Sequence, residues 1–421
     1  MIAALLVALT IAAVQDPASP PQPAAEKIAE VRVHGNATVS DDMVIKLAGI
    51  TVGTILEPDG LAAIEKRLKD SGRFDEVQVR KRYRTLAMDD IALVLVVHEK
   101  AGTSPTGEPP TAMKRLRSRL MFFPIFWYDD GYGFTYGGQT AIVDAFGKGT
   151  RVSVPLSWGG TRRAAVEADR TFKSGPLTRL TGSFGITQRE NPFYEIDDRR
   201  TELSARAERR LFKLVTLGAD VGRTALTFEP AHDDFWSTGA DAAFDTRAGT
   251  AYPIDAVFAS VRWQRLNPLG TTTFAADALD KYRFDARGFK RLFGQNVVAL
   301  HAQYDTASAP LPPYEQWLLG GSSLRGLSAG ALVGDQRLIW SAELRMPFSS
   351  PLNVVGRTGF NLFFDGGKVA AHGESIGRAP LFRGVGGGFF INAAILNLNF
   401  EVAHSLDGRG TKFHFGTGFT F

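Results

Sequence analysis

Cysteine is absent from the 421-residue chain, which removes disulfide scaffolds, thiolate zinc sites, iron–sulfur clusters and cysteine nucleophiles together. Histidine is scarce, and the seven present show no metal-ligand spacing such as His-x-x-x-His. Long apolar runs are nearly absent too. The stretch Ile2 to Val14 holds 13 residues, and no later segment approaches the ~18 consecutive apolar residues of a membrane helix. Residues 1–14, followed by a polar, proline-rich stretch from Gln15 to Pro23, read as a signal peptide, although the run lacks an initial Lys or Arg. A membrane location must then come from strands. Charge of one sign is also lacking: 48 basic residues against 44 acidic ones give a formal charge of only +4. Without a concentrated basic tract, a dedicated nucleic-acid binder is excluded. What is abundant is glycine, at 44 residues, and phenylalanine, at 30, a combination that suits β structure with many turns.

Catalytic patterns are missing as well. Gly384 to Gly388 is a glycine run without a following Gly-Lys-Ser/Thr, so it is no phosphate loop, and close strand packing is the expected reason for it. No Gly-x-Ser-x-Gly elbow occurs. Neither an enzyme nor a cofactor is expected.

Between residues 28 and 99 the pattern changes several times. Ala29, Val31 and Val33 alternate with charged residues as a half-buried strand requires, and His34-Gly35-Asn36 ends the run. Ser40 can cap a helix whose first turn holds Asp41 and Asp42, where carboxylates suit the helix dipole, and which buries Met43, Val44 and Leu47. A second helix, from near Pro58 to Ser71-Gly72, carries Leu61, Ile64 and Leu68 on one face. Two strands follow, at Val77/Val79 and Ile91 to Val97. This order of strand, helix, helix, strand, strand, with its Gly-Asn, Ser-Gly and Val-x-Val marks, resembles a POTRA domain. The resemblance implies an exposed sheet edge to which an extended client adds a strand through main-chain hydrogen bonds. Residues 100–118, rich in Gly and Pro, read as a linker.

From 119 to 421 the chain alternates with period two. Val152, Val154, Leu156 and Trp158 share one face, against Arg151, Ser153 and Ser157. Leu396, Leu398, Phe400 and Val402 oppose Asn397, Asn399 and Glu401. The last run sets Phe413, Phe415, Phe419 and Phe421 against His414, Gly416, Gly418 and Thr420. Such faces, repeated over strands of about ten residues, are the pattern of a transmembrane barrel, apolar toward lipid and polar toward the lumen. Sixteen strands are expected, near 120, 132, 150, 163, 178, 200, 214, 236, 254, 272, 296, 336, 354, 382, 395 and 411. An even count makes the first and last strands antiparallel, so that they can close the barrel. The fold class is therefore an α+β POTRA domain followed by a 16-stranded antiparallel transmembrane β-barrel.

One connection stands out, a loop of about 31 residues from Asp305 to Asp335, too long to be structureless without a task. It holds Gly320-Gly321-Ser-Ser-Leu-Arg325-Gly326-Leu327. This stretch resembles the Gly-rich Arg-Gly-aromatic tip before the twelfth strand in the BamA and TamA superfamily of assembly and secretion barrels, with Leu327 where an aromatic is usual. Glu343 in "SAELRMPF" and Asp365 in "FFDGGKV" resemble the family's acidic partners, and Asp245-Thr246-Arg247 its turn after the eighth strand. Alternation independently points Glu343 and Asp365 into the lumen, where an unpaired carboxylate is costly. The Arg325 guanidinium is the natural mate. With a hairpin turn near Ser350 the two acids lie at different heights, so Asp365 is expected as the main partner and Glu343 as a secondary or water-linked one.

The resemblance implies an outer-membrane factor that inserts other barrel proteins, its POTRA domain in the periplasm and its seam between first and last strands opening to template client strands. Gly416 and Gly418, with Phe421 at the end of the seam strand, either weaken that seam or relieve crowding in the lumen. Partners implied are unfolded outer-membrane proteins or a secreted client, outer-membrane lipids and accessory assembly proteins. A two-partner-type secretion pore or a passive channel is the alternative.

Overall fold

The computed structural model describes residues 26–85, 89–100, 102–103, 117–247, 252–270, 273–348, 356–393 and 397–417. The apolar run at 1–14, most of the segment 100–118, Gly418 and Phe421 lie outside the described residues. The chain divides into two units between Ser118 and Arg119.

The first unit has the expected order: β1 (Lys27–His34), α1 (Asp41–Ala48), α2 (Gly60–Asp70), β2 (Phe74–Tyr83) and β3 (Asp90–Glu99). Ser40 accepts the Met43 N–H and caps α1, and Gly49 ends it at φ 63°, the left-handed geometry glycine adopts without a Cβ penalty. Strand β3 is central, parallel to β1 and antiparallel to β2. Leu93 and Leu95 on β3 pack against Val44, Ile64 and Leu68 of the helices. The alternation through Ala29 is broken by a bulge between Ile28 and Glu30, so Ile28 enters the core beside Val33. The outer edge of β2 pairs with no strand among the described residues.

Glu99, at the end of β3, gathers three backbone N–H groups, from Ala37, Thr38 and Val39, at 3.0, 3.0 and 2.8 Å. Burial pushes its carboxyl up, but the three amides outweigh burial and hold it below the ordinary value. A depressed carboxylate contributes stability above its unfolded pKa and loses it as pH falls through the folded one. Glu99→Ala is therefore expected to cost about 1–3 kcal/mol. Amide exchange at residues 37–39 of the full chain should accelerate in the variant, and in the wild type only as the solution is acidified below the carboxylate range. Unchanged protection in the variant would refute the role.

The second unit carries sixteen long strands: β4 (Leu120–Asp129), β5 (Gly133–Val143), β6 (Thr150–Gly159), β7 (Arg162–Thr171), β8 (Arg179–Asn191), β9 (Ile196–Leu211), β10 (Val215–Phe228), β11 (Ala231–Asp245), β12 (Ala256–Pro268), β13 (Leu279–Arg291), β14 (Val297–Ala307), then, beyond two short strands β15 (Trp317–Leu319) and β16 (Leu332–Gly334), β17 (Gln336–Phe348), β18 (Gly356–Ala370), β19 (Phe382–Ala393), β20 (Asn397–Ser405) and β21 (Thr411–Thr417). They form one sheet in chain order, antiparallel throughout, with β15 and β16 paired separately. The strand expected near 272 starts instead at Leu279, because Thr273 is tied down as a loop: its N–H donates to Asp233 Oδ1 at 3.0 Å.

Leu156 and Trp158 are exposed on the outside of the sheet while Ser153 and Ser157 are buried inside, and Phe400 and Val402 likewise oppose buried Asn399 and Glu401. Charges on the inner wall are paired, for example Arg206 with Asp241 at 2.6 Å and Arg262 with Asp220 at 2.9 Å, as ions away from bulk water require. Among the described residues no helix is long and apolar enough to cross a membrane. The chain's polar and apolar faces fit a bilayer through strands. The two ends of the sheet, β4 and β21, lie side by side, yet no backbone hydrogen bond joins them among the described residues. Side chains bridge that seam, with Tyr128 and Phe415 rings 5.3 Å apart. The barrel is nearly closed.

Candidate functional site

The chain enters the barrel at the start of β4, so alternate connections fall at this proximal end and the rest at the distal end. The long connection between β14 and β17, residues 308–335, is distal. It is shorter than expected because Asp305 belongs to β14, where it is buried between Arg283 at 2.6 Å and Arg337 at 2.8 Å. The loop folds back into the lumen. Leu319, Leu324 and Leu327 pack with Ile339 of β17, so Leu327 fills an apolar site from the position where an aromatic is usual. Gly320, Gly321 and Gly326 take φ of 121°, 60° and 96°. Gly326 lies directly against the backbone of His404 and Ser405, and a Cβ there would meet both.

Arg325, only 1% exposed, is delivered by this turn to the facing wall. Its Nε and Nη2 donate to the two oxygens of Asp365 at 2.8 and 2.9 Å, and its backbone N–H to Asp365 Oδ2 at 3.1 Å. Nη1 reaches Glu343 Oε2 at 2.9 Å and Glu401 Oε1 at 2.8 Å, and Nη2 also donates to Ser341 Oγ at 3.1 Å. Five N–H donors thus have five acceptors, the condition for burying a guanidinium. The Phe363 ring lies 3.3 Å from the guanidinium carbon, a cation–π floor beneath the fork. Arg345 Nε supports Glu343 from below at 2.8 Å, and Asn361 Nδ2 donates to Glu401 at 2.6 Å.

The expectation of one direct and one remote acid is thereby corrected. Glu343 pairs with Phe363 and Ser341 with Asp365 across β17 and β18. The two acids are diagonal neighbours only two rungs apart, within reach of one planar fork. Glu401 is a further partner that sequence reasoning placed on the lumen face but did not connect to the loop. His414, placed on the polar face of the last strand by alternation, accepts the Gly326 N–H at Nε2 (3.0 Å), which leaves Nδ1 to donate to Asp130 Oδ2 at 2.7 Å. Asp130 lies in the turn after β4. The loop tip, last strand and first hairpin meet at this imidazole.

A second anchorage holds the loop's other limb. Glu315 pairs with Arg200 on β9 at 2.8 Å and with Lys281 on β13, and the Tyr314 hydroxyl donates to Asp233 on β11. Asp245, Thr246 and Arg247 are not brought to the Arg325 site. They close the proximal β11–β12 connection: Asp245 accepts from the Arg247 N–H at 2.9 Å and Nε at 3.0 Å, Thr246 Oγ1 accepts from the Val257 N–H at 2.8 Å, and Arg247 stacks 4.2 Å from the Phe258 ring. At Gly416 a Cβ would meet nothing within 4 Å among the described residues. Gly418 and Phe421 lie outside the described residues. Of the glycine run in β19, Gly386 and Gly388 face the carbonyls of Val402 and Phe400 on β20, as close strand packing requires, whereas Gly384 faces the carbonyl of Arg325 and so makes room for the loop.

Residues 137–421 match the Omp85 superfamily domain, and residues 26–100 match a POTRA family described as a surface antigen variable number repeat. No curated protein matches the chain by sequence. Among solved structures, BamA from Haemophilus ducreyi lacking POTRA domains 1–3 is similar at 13% identity and TM-score 0.62, over 93% of this chain and 84% of that one. CdiB from Acinetobacter baumannii, 13% identical, has TM-score 0.50 over 94% of this chain and 74% of that one. CdiB from Escherichia coli, 12% identical, has TM-score 0.50 over 96% and 92%. At these identities the likenesses show the fold, while the family match covers more than half of the sequence: the chain belongs to the Omp85 superfamily, with a POTRA domain ahead of its barrel.

Proposed function

We propose that this protein inserts other barrel proteins into the membrane. It is an outer-membrane barrel with its POTRA domain in the periplasm. In this reading the unpaired edge of β2 receives an unfolded client by strand addition, and the seam between β4 and β21 parts so that client strands pair with the exposed edges. The observation that carries it is the seam itself: adjacent end strands with no ladder bonds between them among the described residues, joined by a histidine–aspartate contact and aromatic rings. Among the described residues, opening such a seam breaks side-chain contacts and no ladder bonds. The Arg325 loop steadies the remaining wall.

The sequence's lack of cysteine makes a direct test simple. Tyr128→Cys with Phe415→Cys, joined by a cleavable thiol crosslinker, locks the seam. In liposomes the uncrosslinked protein is expected to speed folding of a urea-unfolded outer-membrane barrel, the crosslinked form to fall to the rate of empty liposomes, and cleavage to restore it. Equal activity with the seam locked would reject lateral opening. A two-partner-type secretion pore exports through the lumen and needs the loop withdrawn, so it would tolerate the seam lock.

A further inference from the structure

The proximal connections carry an arrangement that neither folding of the barrel nor insertion of clients requires. Phe146 and Lys148 sit in the β5–β6 turn, Phe172 and Lys173 follow β7, Phe212 and Lys213 join β9 to β10, and Phe293 follows Lys290 and Arg291 after β13. Phe146, Phe212 and Phe293 are 80%, 90% and 68% exposed. The proximal connections between β5 and β14 hold four basic residues, one of them Arg247 paired with Asp245, against two aspartates, whereas the short distal connections hold six carboxylates against two arginines. Both proximal aspartates are engaged within the protein: Asp144 accepts the Gly149 N–H at 2.7 Å, and Asp255 pairs with Lys290 at 2.8 Å.

Phe212-Lys213 adds a separate observation. Both residues have positive φ, 50° and 61°, and the Leu214 N–H closes the turn on the Leu211 carbonyl at 3.3 Å. Two consecutive left-handed residues make a type I′ hairpin, which Asn-Gly fits best and a bulky aromatic fits poorly. The chain keeps a strained backbone in order to place an exposed phenylalanine and a lysine at the tip. Strain of that kind costs stability, which singles out this tip for a role beyond the hairpin itself.

We propose that the proximal rim is a docking surface for anionic phospholipid headgroups in the periplasmic leaflet. The phenyl rings enter the acyl boundary, as aromatic residues do at membrane interfaces, and the ammonium groups of Lys173 and Lys213 take the phosphates. The charge difference between the two ends of the barrel selects the leaflet. The surface rests on the family assignment and is independent of whether the seam opens.

The test uses the full chain in phosphatidylcholine vesicles with spin-labelled phosphatidylglycerol or spin-labelled phosphatidylcholine as the minor lipid. The wild type is expected to hold phosphatidylglycerol preferentially at its perimeter, less so as salt rises. Lys173→Ser and Lys213→Ser together should abolish the preference, each lysine contributing up to about fivefold at low salt. A second variant, Phe212→Asn with Lys213→Gly, supplies the residues that the turn geometry favours. It should unfold in detergent at the same or a higher temperature while losing phosphatidylglycerol at that turn. No preference in the wild type, a preference that survives removal of the lysines, or a detergent-unstable Asn-Gly variant would each overturn the proposal.

Discussion

Arg325→Ala should free the long loop from the lumen and destabilise the barrel by about 3–5 kcal/mol, the range for removing one partner from a buried ionic cluster. The size follows from what is left behind. Asp365, Glu343 and Glu401 are each nearly inaccessible, and without the guanidinium they repel one another from three strands, with Ser341, Asn361 and Arg345 as remaining donors. The Phe363 ring also loses the cation above it. Arg325→Lys should fall between, since an ammonium keeps the charge but cannot span three carboxylates with a rigid fork. Thermal unfolding of the detergent-solubilised protein, read by gel mobility of heated and unheated samples, measures the loss. Protease cleavage within 308–335 reports release of the loop. Wild-type behaviour of the alanine variant on both readings would remove Arg325 from the mechanism.

Gly384→Ala should approach the same phenotype without touching a charge. A Cβ at Gly384 overlaps the carbonyl oxygen of Arg325, with Leu324 behind it. Backbone on both sides leaves no flexible side chain to move aside, so either the loop tip lifts away from β19 or the strand bows outward, an overpacking cost of about 1–3 kcal/mol. Displacement of the tip lengthens the Arg325–Asp365 bonds, so loop cleavage should increase and client folding should slow. Gly416→Ala is the matched control, a lumen-facing glycine whose Cβ would meet nothing among the described residues, and should be silent in stability. If both alanines behave alike, the tip does not seat as closely as the geometry requires.

The barrel was legible because period-two alternation depends on each residue's own polarity: Ser153 and Leu156, or Glu401 and Phe400, declare their faces independently of any neighbour. The front domain was legible through capping and turn residues such as Ser40 and Gly49, which act locally. What stayed hidden depends on registration between strands. A few residues' difference in the β17–β18 turn moves Asp365 from distant to adjacent relative to Glu343, and no local signal sets it. Phe363 was hidden for another reason: an aromatic on a polar face breaks the pattern that identifies faces, and its purpose appears only once the Arg325 cation lies above it. Glu401 and His414 were visible as inward residues, but their meeting with a loop 76 and 88 residues away in sequence is a property of the folded tip.

The loop's two anchorages have a mechanical consequence. One limb grips β9, β11 and β13 through Glu315 and Tyr314, and the tip grips β17, β18, β20 and β21 through Arg325 and Gly326. That brace ties one long arc of the cylinder across its own diameter and makes it stiff. Among the described residues, the arc from β4 to β8 meets the brace near its distal rim, where Gly131 lies against Ala329 and Asp130 meets His414. Compliance is therefore unevenly distributed. If the seam parts as proposed, the β4 side is the door leaf, the β21 side its jamb, and the His414–Asp130 contact the bolt between them.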